Sequence, residues 1–469
     1  MNLRLRALVL KRPYLFFTLA LINTGTFATK YHVNSVTTFS TAHDSAVAGD
    51  SIVWTDGTYS DVTFTISKNQ IVVIARTPGG VIFNGNSYVT ITGSYITFAD
   101  FQFVNVVTSN STCIGVKGSH NIISGINMNT LNVFNYLKVF GGAQYNQIIN
   151  CNFQNKPVES PSNALVVVDE SSTTPNYTII RYCTFQHCPG PGADFGNEPI
   201  RLGLRGTHPS RCLIEYCYFT DLGGADNETI SVKSLENVMR YNTYDNNPTG
   251  EISLRHGGAN QIYGNFFIND SRGVVVKEGV GNLIYNNYFA TSANHAPVVM
   301  AVGKPLYSVL PSNTSIIHNT FYNCKALNVT NTTPTDTKFY NNIFYNTPVN
   351  GANANVSYTG NIILGSFGIT VPSGNITADP LPLLNSNGYY SIKAGSPAIN
   401  AANGTYADIP DIIGIDEDHS ILTDISGKAR PSSKTEKDLG CSEFNASGTV
   451  INKPLTLNDA GPFYLRKSR

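Results

Sequence analysis

Cys217-Tyr-Phe219, Asn242-Thr-Tyr244, Asn265-Phe-Phe267, Asn287-Tyr-Phe289, Asn319-Thr-Phe321 and Asn342-Ile-Phe344 repeat one tripeptide: Asn or Cys, any residue, then an aromatic. Earlier copies are Cys151-Asn-Phe153 and Cys183-Thr-Phe185, and a weaker last one is Asn361-Ile-Ile363. Successive copies from Cys151 onward lie 32, 34, 25, 23, 22, 32, 23 and 19 residues apart. A fixed repeat near the shorter of these values is the mark of a stacked architecture. Three strands of about five residues with short turns fill one such coil, and the longer steps carry insertions in a turn. Asn tolerates a left-handed turn, and its amide can bond the Asn one coil above. The aromatic two residues on points to the same side and stacks in the core. Between copies lie short β-branched runs such as Gly273-Val-Val-Val276, too brief for helices. The sequence therefore predicts an all-β solenoid, a parallel β-helix. A β-sandwich has no reason to repeat one tripeptide at this interval.

The 469 residues suit one solenoid over 29–469, since such folds grow by adding coils. Residues 1–28 read as a secretory signal: Arg4, Arg6, Lys11 and Arg12, an apolar run from Tyr14 to Ile22, then Thr26-Phe-Ala28 for cleavage. That run is too short to span a bilayer, so the expectation is an exported protein, secreted or periplasmic, with no membrane span. Basic and acidic residues balance at 31 each, which argues against nucleic acid and requires any anionic ligand to be recognised locally. Of the eight cysteines, Cys151, Cys183 and Cys217 stand where later coils have Asn. They read as stacked buried thiols, with Cys183–Cys188 or Cys212–Cys217 as possible local pairs.

Asp226-Asn-Glu-Thr-Ile-Ser-Val-Lys233 is answered 22 residues after Lys233 by Arg255-His256-Gly257. At that interval Lys233 and Arg255 fall on neighbouring rungs, roughly 4.8 Å apart. Two cations held so close point to chemistry on an anion. The plainer alternatives are a surface Lys233 and an Arg255 paired with Glu251 or Asp270.

The chain resembles polysaccharide lyase family 6, the alginate lyase and chondroitinase B group. The resemblance begins with Ala48-Gly-Asp-Ser-Ile-Val53, Asp56-Gly-Thr-Tyr59, Ala75-Arg-Thr-Pro-Gly79 and Val81-Ile-Phe-Asn-Gly85. It continues through Asn197-Glu-Pro-Ile-Arg201-Leu-Gly203 and the Lys233 and Arg255 segments. Near the end come Ser396-Pro-Ala-Ile-Asn400, Gly427-Lys-Ala-Arg-Pro431 and Lys437-Asp-Leu-Gly440. Membership implies a right-handed parallel β-helix with an N-terminal cap, a C-terminal closing segment and a Ca²⁺-assisted lyase site acting on an anionic polysaccharide. By that resemblance Asn197, Asp226 and Glu228 hold the Ca²⁺ and Lys233 is the base. Arg255 acts at the leaving oxygen, where guanidinium suits charge stabilisation better than proton donation. His256 and Arg201 are expected against substrate. Family members commonly carry Gly-Gly-Ile-Arg on the next coil, where this chain has Ser271-Arg-Gly-Val-Val-Val-Lys277 with Val275 near the Arg position. Arg272 or Lys277 is the candidate replacement. A carboxylate-pair hydrolase could use Asp226 and Glu228 but leaves Lys233 and Arg255 idle, and a non-catalytic glycan-binding β-helix predicts neither metal nor product. Alginate is the expected substrate, with chondroitin or dermatan sulfate as the alternative.

Overall fold

The computed structural model describes residues 28–108, 111–157, 164–189, 196–206, 208–223, 228–302, 309–415 and 421–466. The signal-peptide reading of 1–28 and the proposed ligand Asp226 therefore lie outside the described residues, apart from position 28.

Three parallel sheets, of fourteen, ten and fourteen strands, run the length of the molecule. A complete coil gives one strand to each sheet, as where Val238–Arg240, Thr243–Asp245 and Glu251–Leu254 make one turn and Gln261–Tyr263 begins the next beneath Val238–Arg240. This is the parallel β-helix that the repeat predicts.

The repeated tripeptide forms two ladders. Phe185, Phe219, Tyr244, Phe267, Phe289, Phe321 and Phe344 stack face to face at 4.6–5.1 Å between centroids. Asn242, Asn265, Asn287, Asn319, Asn342 and Asn361 are fully buried, and each side-chain amide donates to the Oδ1 of the next. The same Oδ1 also accepts the backbone N–H of the preceding ladder Asn. The left-handed backbone belongs to the residue before each ladder Asn, as at Tyr241 (φ 57°), Asn286 (φ 57°) and Asn341 (φ 59°), and not to the ladder Asn itself. Asn is thus selected here for its two-sided amide. All eight cysteines are buried free thiols, so neither local disulfide forms.

The helix Val36–Ser45 covers the N-terminal coil, starting at a capping box between Ser35 and Thr38. Its Phe39 lies 4.3 Å from Phe64 and 6.0 Å from Trp54 between centroids. The C-terminal segment differs from a simple closing cap. It runs back along the outside of the coils: Arg430 Nη2 donates to Asn286 Oδ1 (3.1 Å), Asn452 to Gly264 O (2.7 Å), Leu455 N–H to Thr243 Oγ1 (2.7 Å) and Tyr464 OH to Gly125 O (3.0 Å). These bonds satisfy coil backbone and side-chain groups that an unstrapped solenoid leaves to water. Among the described residues no helix is long and apolar enough to cross a membrane.

Candidate active site on the ten-stranded sheet

The site lies on the outer face of the ten-stranded sheet. In the strands Ile200–Gly203, Glu228–Lys233, Glu251–Leu254 and Val274–Val276, alternate residues Ile200, Leu202, Ile230, Val232, Ile252, Leu254, Val274 and Val276 enter the core. Period-two alternation then sets Arg201, Ser231, Ser253 and Val275 in one outward column. The register places Gly203, Lys233, Arg255 and Lys277 in a second, and Arg255 N–H and Lys277 N–H bond the strands beneath at 2.9 Å.

Strict alternation would send Glu228 inward with Ile230. The ladder slips between these two residues, and that irregularity turns the Glu228 carboxylate outward. Glu228 is completely buried, and its Oε1 accepts from Arg255 Nη1 at 3.2 Å and Lys277 Nζ at 3.1 Å. Glu251, paired with Glu228 in the ladder, lies 3.6 Å from Lys277 Nζ and 3.3 Å from Arg272 Nη1. Lys233 Nζ is 3.7 Å from Glu198 Oε1. The result is a column of carboxylates, Glu198, Glu228 and Glu251, facing a column of cations.

Burial lowers the Lys233 ammonium below its ordinary pKa. Arg255 and Arg201 push the same way, while Glu198 and Glu228 oppose it. Desolvation, not the neighbouring guanidinium, is thus the leading cause. Burial alone would raise the Glu228 carboxyl, but Lys277, Arg255 and Lys233 outweigh it and hold it below the usual range. Glu251 goes the other way, raised by burial against the pull of Lys277 and Arg272.

Gly257 explains the third member of the Arg-His-Gly motif. A Cβ there would meet Ser234 O at 1.9 Å, so only glycine lets this turn lie on the one below. His256 is buried, with Nδ1 2.5 Å from Glu278 Oε2, and so braces the turn that carries Arg255. Arg255 pairs with Glu228 rather than with Glu251 or Asp270.

Of the residues the sequence singles out, Lys233, Arg255, Lys277 and Glu228 come together directly, and Arg201 stands on the same face. Asn197 is buried in a left-handed conformation (φ 60°) just before Ile200–Gly203. Glu198 and Glu251 belong to the constellation, although the sequence marks Glu251 only as a possible partner of Arg255; Glu198 precedes Ile200 by two residues as Glu228 precedes Ile230, which is the signal that marks it. Glu198 Oε2 and Glu228 Oε2 are buried without a hydrogen-bond partner among the described residues, a state that suits a hard cation. The described residues alone offer no metal-holding cluster of three His, Cys, Asp or Glu side chains; Asp226 lies outside them.

The chondroitinase B family profile matches residues 33–297, more than half of the chain. The chain belongs to polysaccharide lyase family 6. No curated protein sequence matches it significantly. The fold superposes on the family 6 alginate lyase AlyGC with a TM-score of 0.70 and 17% identity, over 94% of this chain and 59% of that one. This family member thus spans about three-fifths of the length of AlyGC. A family 6 polysaccharide lyase from Pseudopedobacter saltans matches over 92% of this chain and 98% of its own, with a TM-score of 0.59 and 20% identity. A mannuronic acid specific family 6 lyase from human gut microbiota gives 0.57 and 21%, over 72% and 86%.

Proposed function

We propose that this protein is an exported lyase that cleaves alginate by β-elimination. The observation that carries the proposal is Lys233: a mostly buried lysine of lowered pKa, one rung from Arg255, on the outer face of the sheet. Elimination breaks the C5–H and C4–O bonds of a uronate and forms a C4–C5 double bond. Neutral Lys233 takes the C5 proton. The electron pair left on C5 forms the double bond, and the bonding pair of C4–O leaves with the oxygen. Arg255 stabilises charge on that oxygen while water supplies its proton. Arg201 binds and positions the sugar, His256 braces the turn that carries Arg255, and Lys277 holds Glu228 in place.

Asn197, Asp226 and Glu228 are the residues that would hold Ca²⁺. When bound, the ion neutralises the C6 carboxylate and so makes the C5 proton easier to remove. The buried, unpartnered oxygen of Glu228 supports this assignment, because Arg255 and Lys277 occupy only its other oxygen. A hydrolase would need one protonated carboxyl beside the scissile bond. Glu228, kept ionised by its cations, is unsuited to that role.

The test is to incubate the mature protein separately with alginate and dermatan sulfate and identify the products by mass spectrometry. Unsaturated oligouronates from alginate support the proposal. Unsaturated products from dermatan sulfate alone would move the substrate to the sulfated glycans, and hydrated products would replace elimination with hydrolysis.

A further inference from the structure

Past the catalytic rungs the outward column continues from Ser253 to Val275, Val299 and Asn328 by direct ladder pairing. Along it lies a groove of about 300 Å³ whose floor includes Val275 and Val299 and whose rim carries Arg272, His295 and Lys325. The floor is apolar, so any charge recognition must come from the rim.

The three rim side chains are not equivalent. Arg272 donates to Pro248 O at 3.0 Å and pairs with Glu251. His295 Nε2 lies 3.5 Å from Asp270. Lys277, the nearest cation in the neighbouring column, is committed to Glu228 and Glu251. Lys325 is exposed, and its ammonium forms no ion pair among the described residues. Its backbone is fixed by the bond from its N–H to Ser292 O, 3.1 Å. Burial lowers the His295 pKa, and Arg272 and Lys325 push it the same way against Asp270. Glu251 lines the groove but is taken by Arg272, and Asp270 faces His295, so the Lys325 ammonium is the rim charge left without a matching carboxylate among the described residues.

We propose that this groove is a distal sugar subsite and that Lys325 is its specificity-determining cation, taking the carboxylate of a uronate two to three rungs from the cleaved bond. The inference rests on the lyase reading for its substrate class. Lys325 falls roughly three rungs, about 14 Å, beyond Arg255 at the strand spacing of a sheet. A dimer seated on the catalytic rungs cannot reach it, whereas a hexamer can.

The experiment measures binding of uronate dimer and hexamer to the Lys233→Ala protein, with and without Lys325→Ala, by calorimetry at low and high salt. Lys325→Ala should weaken hexamer binding about three- to five-fold at low salt, the scale of one exposed ion pair. The loss should shrink at high salt, Lys325→Arg should restore binding, and the dimer should be unaffected. An unchanged hexamer affinity, or an equal loss for the dimer, would overturn the proposal. Product formation by the unmutated protein is scored separately, so failure of the lyase reading is seen independently of this binding result.

Discussion

Replacing Asn287 with Ala would interrupt the buried asparagine ladder at its middle. Asn287 Nδ2 donates to Ile262 O (2.9 Å), Tyr285 O (3.0 Å) and Asn319 Oδ1 (3.0 Å), and Oδ1 accepts from Asn265 N and Nδ2, both at 3.0 Å. The methyl group of alanine replaces none of these. Asn265 Nδ2 keeps Met239 O and Tyr263 O as acceptors, but its backbone N–H loses its partner in a site closed to water. A stranded buried donor costs about 1–3 kcal/mol and each lost net hydrogen bond about 1 kcal/mol, so the loss should be at least about 3 kcal/mol. Asn375 supplies the control. It ends the ladder half-exposed, accepting from Asn361 N and Nδ2, so water can take over there and Asn375→Ala should cost about 1 kcal/mol. Urea unfolding followed by far-ultraviolet dichroism and by Trp54, the single tryptophan, reads both variants and reports whether the two ends unfold together. Equal losses for Asn287→Ala and Asn375→Ala would refute the reasoning, because they would show that burial of the ladder adds nothing.

Three further outcomes follow from the site. Glu198→Gln removes an anion that holds Lys233 protonated, so the Lys233 pKa falls further and the acid limb of the kcat–pH profile moves to lower pH; a shift to higher pH would exclude Lys233 as the titrating base. Gly257→Ala drives a Cβ into Ser234 O and displaces the Arg255 turn, and a misplacement of about 1 Å costs roughly 100-fold in kcat. Wild-type kcat in that variant would detach the turn from catalysis. Adding Ca²⁺ to chelator-treated protein should raise its melting temperature, by about 2.7 kcal/mol of stabilisation at a hundred times Kd. The effect should vanish in Asp226→Ala; a rise undiminished in that variant would take Asp226 out of the metal site.

The fold was legible because its determinants are periodic. The Asn or Cys and the aromatic recur in coil after coil from Cys151 to Phe344, and the structure stacks both as columns. Lys233 and Arg255 were legible as neighbours because no insertion separates their coils, so 22 residues is one full turn. What the period conceals is anything that breaks it. Glu228 turns outward only through a slip in the ladder. Lys277 reaches Glu228 across two rungs, 49 residues away, and leaves Arg272 to Glu251. Asn328 follows the 32-residue step from Asn287 to Asn319, whose insertion hides its alignment with Val275 and Val299, and with it the place of Lys325 on the groove. The run of the C-terminal segment back along the coils was equally hidden, since its bonds join residues more than 130 positions apart, as in Arg430 with Asn286.

The most direct test of the account compares the native protein with Lys233→Ala on alginate, following the ultraviolet absorbance of the unsaturated uronate. The account predicts a steady rise with the native protein and none with a Lys233→Ala variant that still binds the polymer. Equal rates from the two proteins would contradict it, because the proton at C5 would then have been removed by some other group.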